Sequence, residues 1–176
     1  MLIYESQVPA SYRQEFIDAV RYYANKLSIN PNWLMAVMYF ESAKTFSPSV
    51  QNPYTNATGL IQFMPATANE LGTSINALKN MTAAEQMYYV YKYYVRYKSK
   101  LKSYVDLYLI TFFPLAAGKP LNFILQTATL PASLIANQNP VFDLDNNGQV
   151  TVGEIQKVML NKIPASWINE FKKKRY

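Results

Sequence analysis

Trp33-Leu34-Met35-Ala36-Val37-Met38-Tyr39-Phe40-Glu41-Ser42 is the stretch on which the fold turns. Trp33 to Phe40 runs without a polar residue, and Asn30-Pro31 before it reads as a helix start, proline being suited to the first turn. A helix apolar on every side belongs at the centre of a domain. It is also far shorter than the roughly 20 residues a membrane span needs. The chain is therefore expected to be built around this helix, which delivers Glu41-Ser42 at its end.

Outward from it, the reading stays helical. Ser11 to Ser28 puts Phe16, Val20, Tyr23 and Leu27 on one face, with Arg13, Glu15 and Asp18 elsewhere. Ala43 to Thr58, rich in Ser, Thr, Asn and Pro, reads as a long irregular loop. Pro65 to Leu71 is a short helix stopped by Gly72. Thr82-Ala83-Ala84-Glu85 has capping-box spacing and opens a helix to about Leu101. Tyr108 to Ala117 and Leu121 to Leu130 are further helical candidates, parted by Gly118-Lys119-Pro120. Nothing alternates as a strand, and no repeat or linker is evident. The basic run Phe171-Lys172-Lys173-Lys174-Arg175 reads as a solvated helix end, where cations suit the dipole. The many tyrosines read as packing residues, with a sugar-stacking groove as the alternative.

With 176 residues, half of them apolar and 16% charged, the chain suits one globular domain. It has no cysteine and no histidine, which excludes disulfides, thiolate chemistry and any histidine acid, base or metal ligand. An enzyme here must use carboxylate, tyrosine, lysine or an oxygen-bound metal. The net charge of +6 favours an anionic partner: nucleic acid, a membrane surface or a cell-wall polymer. Met1 to Tyr12 lacks the basic start and apolar stretch of a secretory signal.

Glu41 ends the apolar helix and precedes a polar loop, so its carboxyl is expected where core meets cleft. Desolvation there raises a carboxyl pKa, as a general acid for glycosidic cleavage requires. The competing reading is a helix-end glutamate bonded to a loop amide. Downstream, Thr58-Gly59-Leu60-Ile61-Gln62-Phe63-Met64-Pro65-Ala66-Thr67-Ala68 joins a glycine, a glutamine and a proline-started helix.

Glu41-Ser42 together with that segment resembles the lytic transglycosylase (Slt-type), lysozyme-like family. Its pattern is Glu-Ser, a loop of about twenty residues, then Gly-Leu-(Met/Ile)-Gln-x-x-Pro-x-Thr-Ala. The resemblance is tightest from Pro31 to Gly72 and extends toward Pro120. It implies a mostly α, single-domain lysozyme-like helical fold over residues 1–176, with a catalytic core at about 11–135. It implies Glu41 as the catalytic acid/base, Gln62 in the saccharide groove and Ser42 beside the acid, with Thr58 also in the binding set. The family's later Ala-Tyr-Asn-Ala-Gly motif corresponds to Thr111-Phe112-Phe113-Pro114-Leu115-Ala116-Ala117-Gly118, where the tyrosine is missing. Phe113 and, one turn upstream, Tyr108 are the substrate-contact candidates there. Gly-Leu-Ile-Gln-Phe followed by the Phe-Phe-Pro and Ala-Gly-Lys-Pro segments looks like phage tail-associated cell-wall lysins.

No Asp or Glu stands between Glu41 and Gln62. A hydrolytic lysozyme normally pairs its acid with a second carboxylate. The nearest acids, Glu70 and Asp106, read as residues of solvated helix faces. A lone carboxyl suits the transglycosylase route to a 1,6-anhydro-muramoyl end. A hydrolytic lysozyme using a held water and a non-catalytic peptidoglycan-binding or tail structural subunit are the rival expectations. The expected partners are peptidoglycan glycan strands and, for a phage protein, other tail or baseplate proteins. Nucleic acid and membrane insertion are not expected. The expected setting is a phage virion tail or phage-encoded lysin acting on the bacterial cell wall, without a signal peptide.

Residues 136–176 carry a second pattern. Asp143-Leu144-Asp145-Asn146-Asn147-Gly148-Gln149-Val150-Thr151-Val152-Gly153-Glu154 fits a twelve-residue EF-hand-like calcium loop place by place. Asp143, Asp145 and Asn147 stand at places 1, 3 and 5, Gly148 makes the turn, and Gln149 offers its carbonyl. Thr151 reaches an ion through water, and Glu154 supplies the bidentate carboxylate. Thr151 and Glu154 also fit a plain capping box, the competing reading. Asn137 to Pro140 does not look helical, and the motif is solitary, so a structural Ca2+ is expected over a signalling switch.

Overall fold

The structure, a computed structural model, describes residues 1–172. Lys173, Lys174 and Arg175 of the basic end lie outside the described residues. Backbone contacts divide the chain into two compact units, Met1–Lys98 and Ser99–Tyr176. Among the described residues the only β pairings are isolated bridges, so the protein is mostly helical. None of the described helices is long and apolar enough to cross a membrane.

In the first unit, α1 (Arg13–Leu27) buries Phe16, Ile17, Val20, Ala24 and Leu27 and packs on the helices at Pro31–Glu41 and Ala83–Val95. Tyr23, expected on that buried face, is half-buried and stacks on Tyr91 at 5.4 Å. Helix α2 (Pro31–Glu41) opens as its sequence dictates: the Asn30 side chain accepts from the Asn32 amide at 2.9 Å, with Pro31 in the first turn. Asn32 to Met38 are all buried. Removing that much apolar surface from water stabilises the unit by roughly 1.5–3 kcal/mol per large side chain. Tyr39, Phe40 and Glu41 are half-buried, so the helix leaves the core at its last turn.

Helix α3 (Pro65–Glu70) is followed by Gly72 at φ 78°, as expected. Helix α4 (Ile75–Lys79), capped by Ser74, is too short to have shown a period in sequence. Helix α5 (Ala83–Val95) carries both halves of the capping box, Glu85 N–H to Thr82 at 3.1 Å and Thr82 N–H to Glu85 at 2.8 Å. It ends at Val95 and does not reach Leu101. Continuing it would set Arg96 and Lys100 four residues apart on one face, a like-charge pair that disfavours helix.

In the second unit, α6 (Tyr104–Phe112) starts earlier than expected, capped by Ser103, and ends before Pro114, which bars helical geometry at Phe113. The expected helix over Leu121 to Leu130 does not form. Instead the Leu125 N–H donates to Val150, Val152 to Phe123 and Gly153 to Leu121, so the segment's backbone is spent on the loop before α8. Helices α7 (Ala132–Gln138) and α8 (Val152–Asn161) flank that loop, and α8 packs on α6. Helix α9 (Ile168–Phe171) ends on a buried residue. Phe171 meets the Tyr104 ring edge-on at 4.9 Å, so the supposed solvated end begins in the core.

Candidate active site

Glu41 is the last residue of α2, half-buried, with no hydrogen bond or ion pair to its carboxyl among the described residues. Burial alone pushes its pKa from the ordinary 4.5 up to about 7. A cation or amide donors would have held it down. The competing reading, a carboxylate bonded to a loop amide, therefore lacks its bond. The charge of Glu41 is felt by the Tyr93 phenol on α5, which burial first, and then Tyr97, drives upward.

Behind Glu41 the backbone is strained. Ala43, Lys44 and Phe46 all lie at positive φ, a conformation costing such residues on the order of 1 kcal/mol each. The core holds them there. Phe46 is fully buried with its ring against Phe16 and Tyr39, and its N–H donates to the Ser42 hydroxyl at 2.9 Å. The Ser42 carbonyl also takes the Thr45 hydroxyl at 2.6 Å. Ser42, 0% exposed, thus ties the loop and offers no face to a ligand.

Thr58 is equally buried. Its N–H and C=O pair with Phe63 at 3.0 and 2.8 Å, and its hydroxyl donates to the Asn56 carbonyl at 3.0 Å. Between them, Gly59 at φ 84° and Gln62 at φ 53° close a tight turn. Gln62 is half-buried, and its Nε2 donates to the Gly59 carbonyl at 3.1 Å and the Val50 carbonyl at 3.3 Å. Its Oε1 has no partner among the described residues.

One residue that sequence reading passed over holds this turn. Gln86 of α5 is completely buried. Its Oε1 accepts from the Leu60 N–H at 2.7 Å, and its Nε2 donates to the carbonyls of Pro48 at 2.9 Å and Leu78 at 3.0 Å. A Cβ on Gly59 would lie 2.3 Å from Gln86 Oε1, so any larger residue must displace the buried Gln86 amide. A lone glutamine between the buried Ala83 and Val90 was the available signal.

Glu41, Ser42, Thr58 and Gln62 thus share the first unit and the segment joining α2 to α3. Tyr108 and Phe113 belong to the second. Tyr108 is 2% exposed, stacked on Phe112 at 5.9 Å and tilted against Phe142 at 6.0 Å, so its ring is core. Phe113 is buried at the end of α6. Glu70 is exposed and paired with Arg96 at 3.2 Å. Asp106, read as a solvated-face residue, is instead half-buried and accepts from Ser103 Oγ at 2.8 Å and the Gly118 N–H at 3.1 Å.

Residues 18–104 match the family model of the transglycosylase SLT domain. These residues belong to that family. The SLT domain is of the lytic-transglycosylase kind, which cleaves glycosidic bonds in peptidoglycan. The matched stretch contains Glu41, Ser42, Thr58, Gln62 and Gln86 and stops short of Tyr108. No curated protein matches the chain.

In the second unit, Asp143, Asp145 and Glu154 each bring a carboxylate oxygen within 4.8 Å of the others. Asp143 accepts from the Asn147 and Gly148 amides, both at 3.0 Å, and Asn147 Oδ1 accepts from the Gln149 N–H at 2.9 Å. Burial acts to raise the Glu154 pKa. Hydrogen bonds from Thr151 and the Leu144 and Asp145 amides outweigh it and leave the carboxyl below its ordinary value. A convergent, all-oxygen donor set fits a hard divalent cation such as Ca2+. The capping-box bonds of Thr151 and Glu154 are present too, at 2.8 and 3.2 Å.

Proposed function

We propose that Glu41 is the sole acid/base of a lytic transglycosylase cutting the MurNAc-GlcNAc bond of peptidoglycan. The observation that carries this is a desolvated carboxyl, poised near neutral pH, to whose shift no second carboxylate contributes. A retaining or inverting hydrolase works with two carboxyl groups. In the proposed reaction Glu41 gives its proton to the leaving glycosidic oxygen as the C1–O bond breaks. The carboxylate then takes the proton of the sugar's own 6-hydroxyl, whose oxygen closes onto C1. The product is a 1,6-anhydro-muramoyl end, and no water is consumed. Gln62 orients the saccharide, while Ser42 and Thr58 hold the loops that carry it.

A structural Ca2+ held by Asp143, Asp145, Asn147, Gln149, Thr151 and Glu154 belongs to the same proposal, as does the reading of both units as one lysozyme-like domain. The positive charge suits a polyanionic cell wall. The phage tail-lysin setting rests on the sequence resemblance alone.

Zymography of wild type against Glu41→Gln tests the assignment. General acid–base catalysis contributes about 10^2- to 10^4-fold, and the variant is expected to lose at least that much clearing of cell walls. A variant that still clears them removes Glu41 from the role, and an inactive wild type favours the non-catalytic binding subunit.

A further inference from the structure

We propose that Gln86 is a positioning residue that fixes Gln62 as a hydrogen-bond acceptor for the saccharide, selecting an N–H or O–H donor on it. The proposal rests on the transglycosylase reading for its ligand, and on geometry for the rest. Leu60 N–H and the Gly59 carbonyl are the two ends of one peptide unit. Gln86 Oε1 holds the first end at 2.7 Å, and the second end receives Gln62 Nε2 at 3.1 Å. Because the peptide is planar, fixing its N–H fixes the direction of its carbonyl. The other Gln62 Nε2 hydrogen goes to Val50, two residues beyond the Pro48 carbonyl that Gln86 Nε2 also holds. The Gly59 N–H donates to that same Val50 carbonyl at 2.8 Å, closing the set.

Both donors of the Gln62 amide are therefore committed to carbonyls in segments that Gln86 pins. Oε1 is what remains, and a side-chain amide oxygen can only accept. An acetamido N–H or a sugar hydroxyl matches it, and a bare carbonyl or carboxylate on a ligand does not. Gln86 is suited to hold this arrangement because it is fully buried with both of its own donors and its oxygen satisfied, in a setting where loose partners are costly. The absence of a side chain at Gly59 lets the amide approach this closely.

A double-mutant cycle of Gln86→Met and Gln62→Ala, read as kcat and KM on soluble peptidoglycan strands, tests the relay. Each single variant is expected to raise KM roughly tenfold with a smaller change in kcat, the loss of about one hydrogen bond. The double variant is expected to be no worse than Gln62→Ala, because Gln86 acts through Gln62. Multiplying effects would overturn the proposal. A second readout needs no catalysis: the Gln62 side-chain amide protons, followed by NMR hydrogen exchange, should exchange at least tenfold faster in Gln86→Met. Should that variant not fold, Gln86→Glu, which keeps the volume and loses the donors to Pro48 and Leu78, takes its place in the same measurement. Unchanged Gln62 exchange in the folded variant sinks the relay even if the enzyme is active. An inactive wild type with accelerated exchange sinks the enzymatic reading and leaves the relay standing.

Discussion

At the scale of single residues, Glu41 links stability to reactivity. Its native pKa of about 7 exceeds the ordinary 4.5, so the folded protein holds a proton between those values that the unfolded chain has lost. Stability must therefore fall as pH rises from about 4.5 through 7, by about 3 kcal/mol in all. Glu41→Gln, uncharged at every pH, is expected to melt about 6–12 °C higher than wild type at pH 8, with the gap closing by pH 4.5. Identical melting temperatures at pH 8 would mean that the carboxyl is not desolvated. Activity carries the same sign: kcat/KM should drop tenfold per pH unit above about 7, as the proton needed by the leaving oxygen is lost. Glu41 was legible in sequence because an uninterrupted apolar run ends on it. Gln86 was not, because its partners Leu60 and Pro48 stand 26 and 38 residues away, and one glutamine on a helix reads as a solvated face.

Among the elements, those with chemical punctuation were readable. Asn30-Pro31 before α2, Thr82 with Glu85 before α5, and Thr151 with Glu154 before α8 all cap the helices they announce. Leu121 to Leu130 misled because apolar content without a period does not fix an element type, and of the segment only Leu125 is buried. What decides its shape is the pairing with Val150 to Gly153, a long-range fact. The turn at Gly59 gives a sharper test. Gly59→Ala meets both the Gln86 amide and an unfavourable φ, and should destabilise by roughly 2 kcal/mol or more in urea titration. Gly118→Ala, with a similar φ of 78° and open space around it, should cost only about 1 kcal/mol. Equal losses at the two sites would show that backbone strain, and not the close approach, sets the cost. In the second unit, chelation with EDTA is expected to lower the melting temperature, and Asp143→Ala to abolish that sensitivity. A melting temperature indifferent to both Ca2+ and EDTA would leave the Asp143–Glu154 loop as a capping device only.

For the whole molecule, the absence of histidine and cysteine leaves a narrow chemical repertoire, and the SLT match over residues 18–104 places that repertoire on peptidoglycan. The net charge of +6 is of the sign that suits an anionic polymer, and two helical units supply a core helix with a carboxyl at its tip and an acidic loop suited to a hard cation. What separates the transglycosylase from a hydrolase is whether one carboxyl suffices. The mass spectrum of muropeptides released by the wild-type protein from purified sacculi decides it. Products ending in 1,6-anhydro-muramic acid, lighter by one water than reducing ends and absent with Glu41→Gln, are expected. Reducing muramic ends formed with uptake of water would contradict a single-carboxyl mechanism.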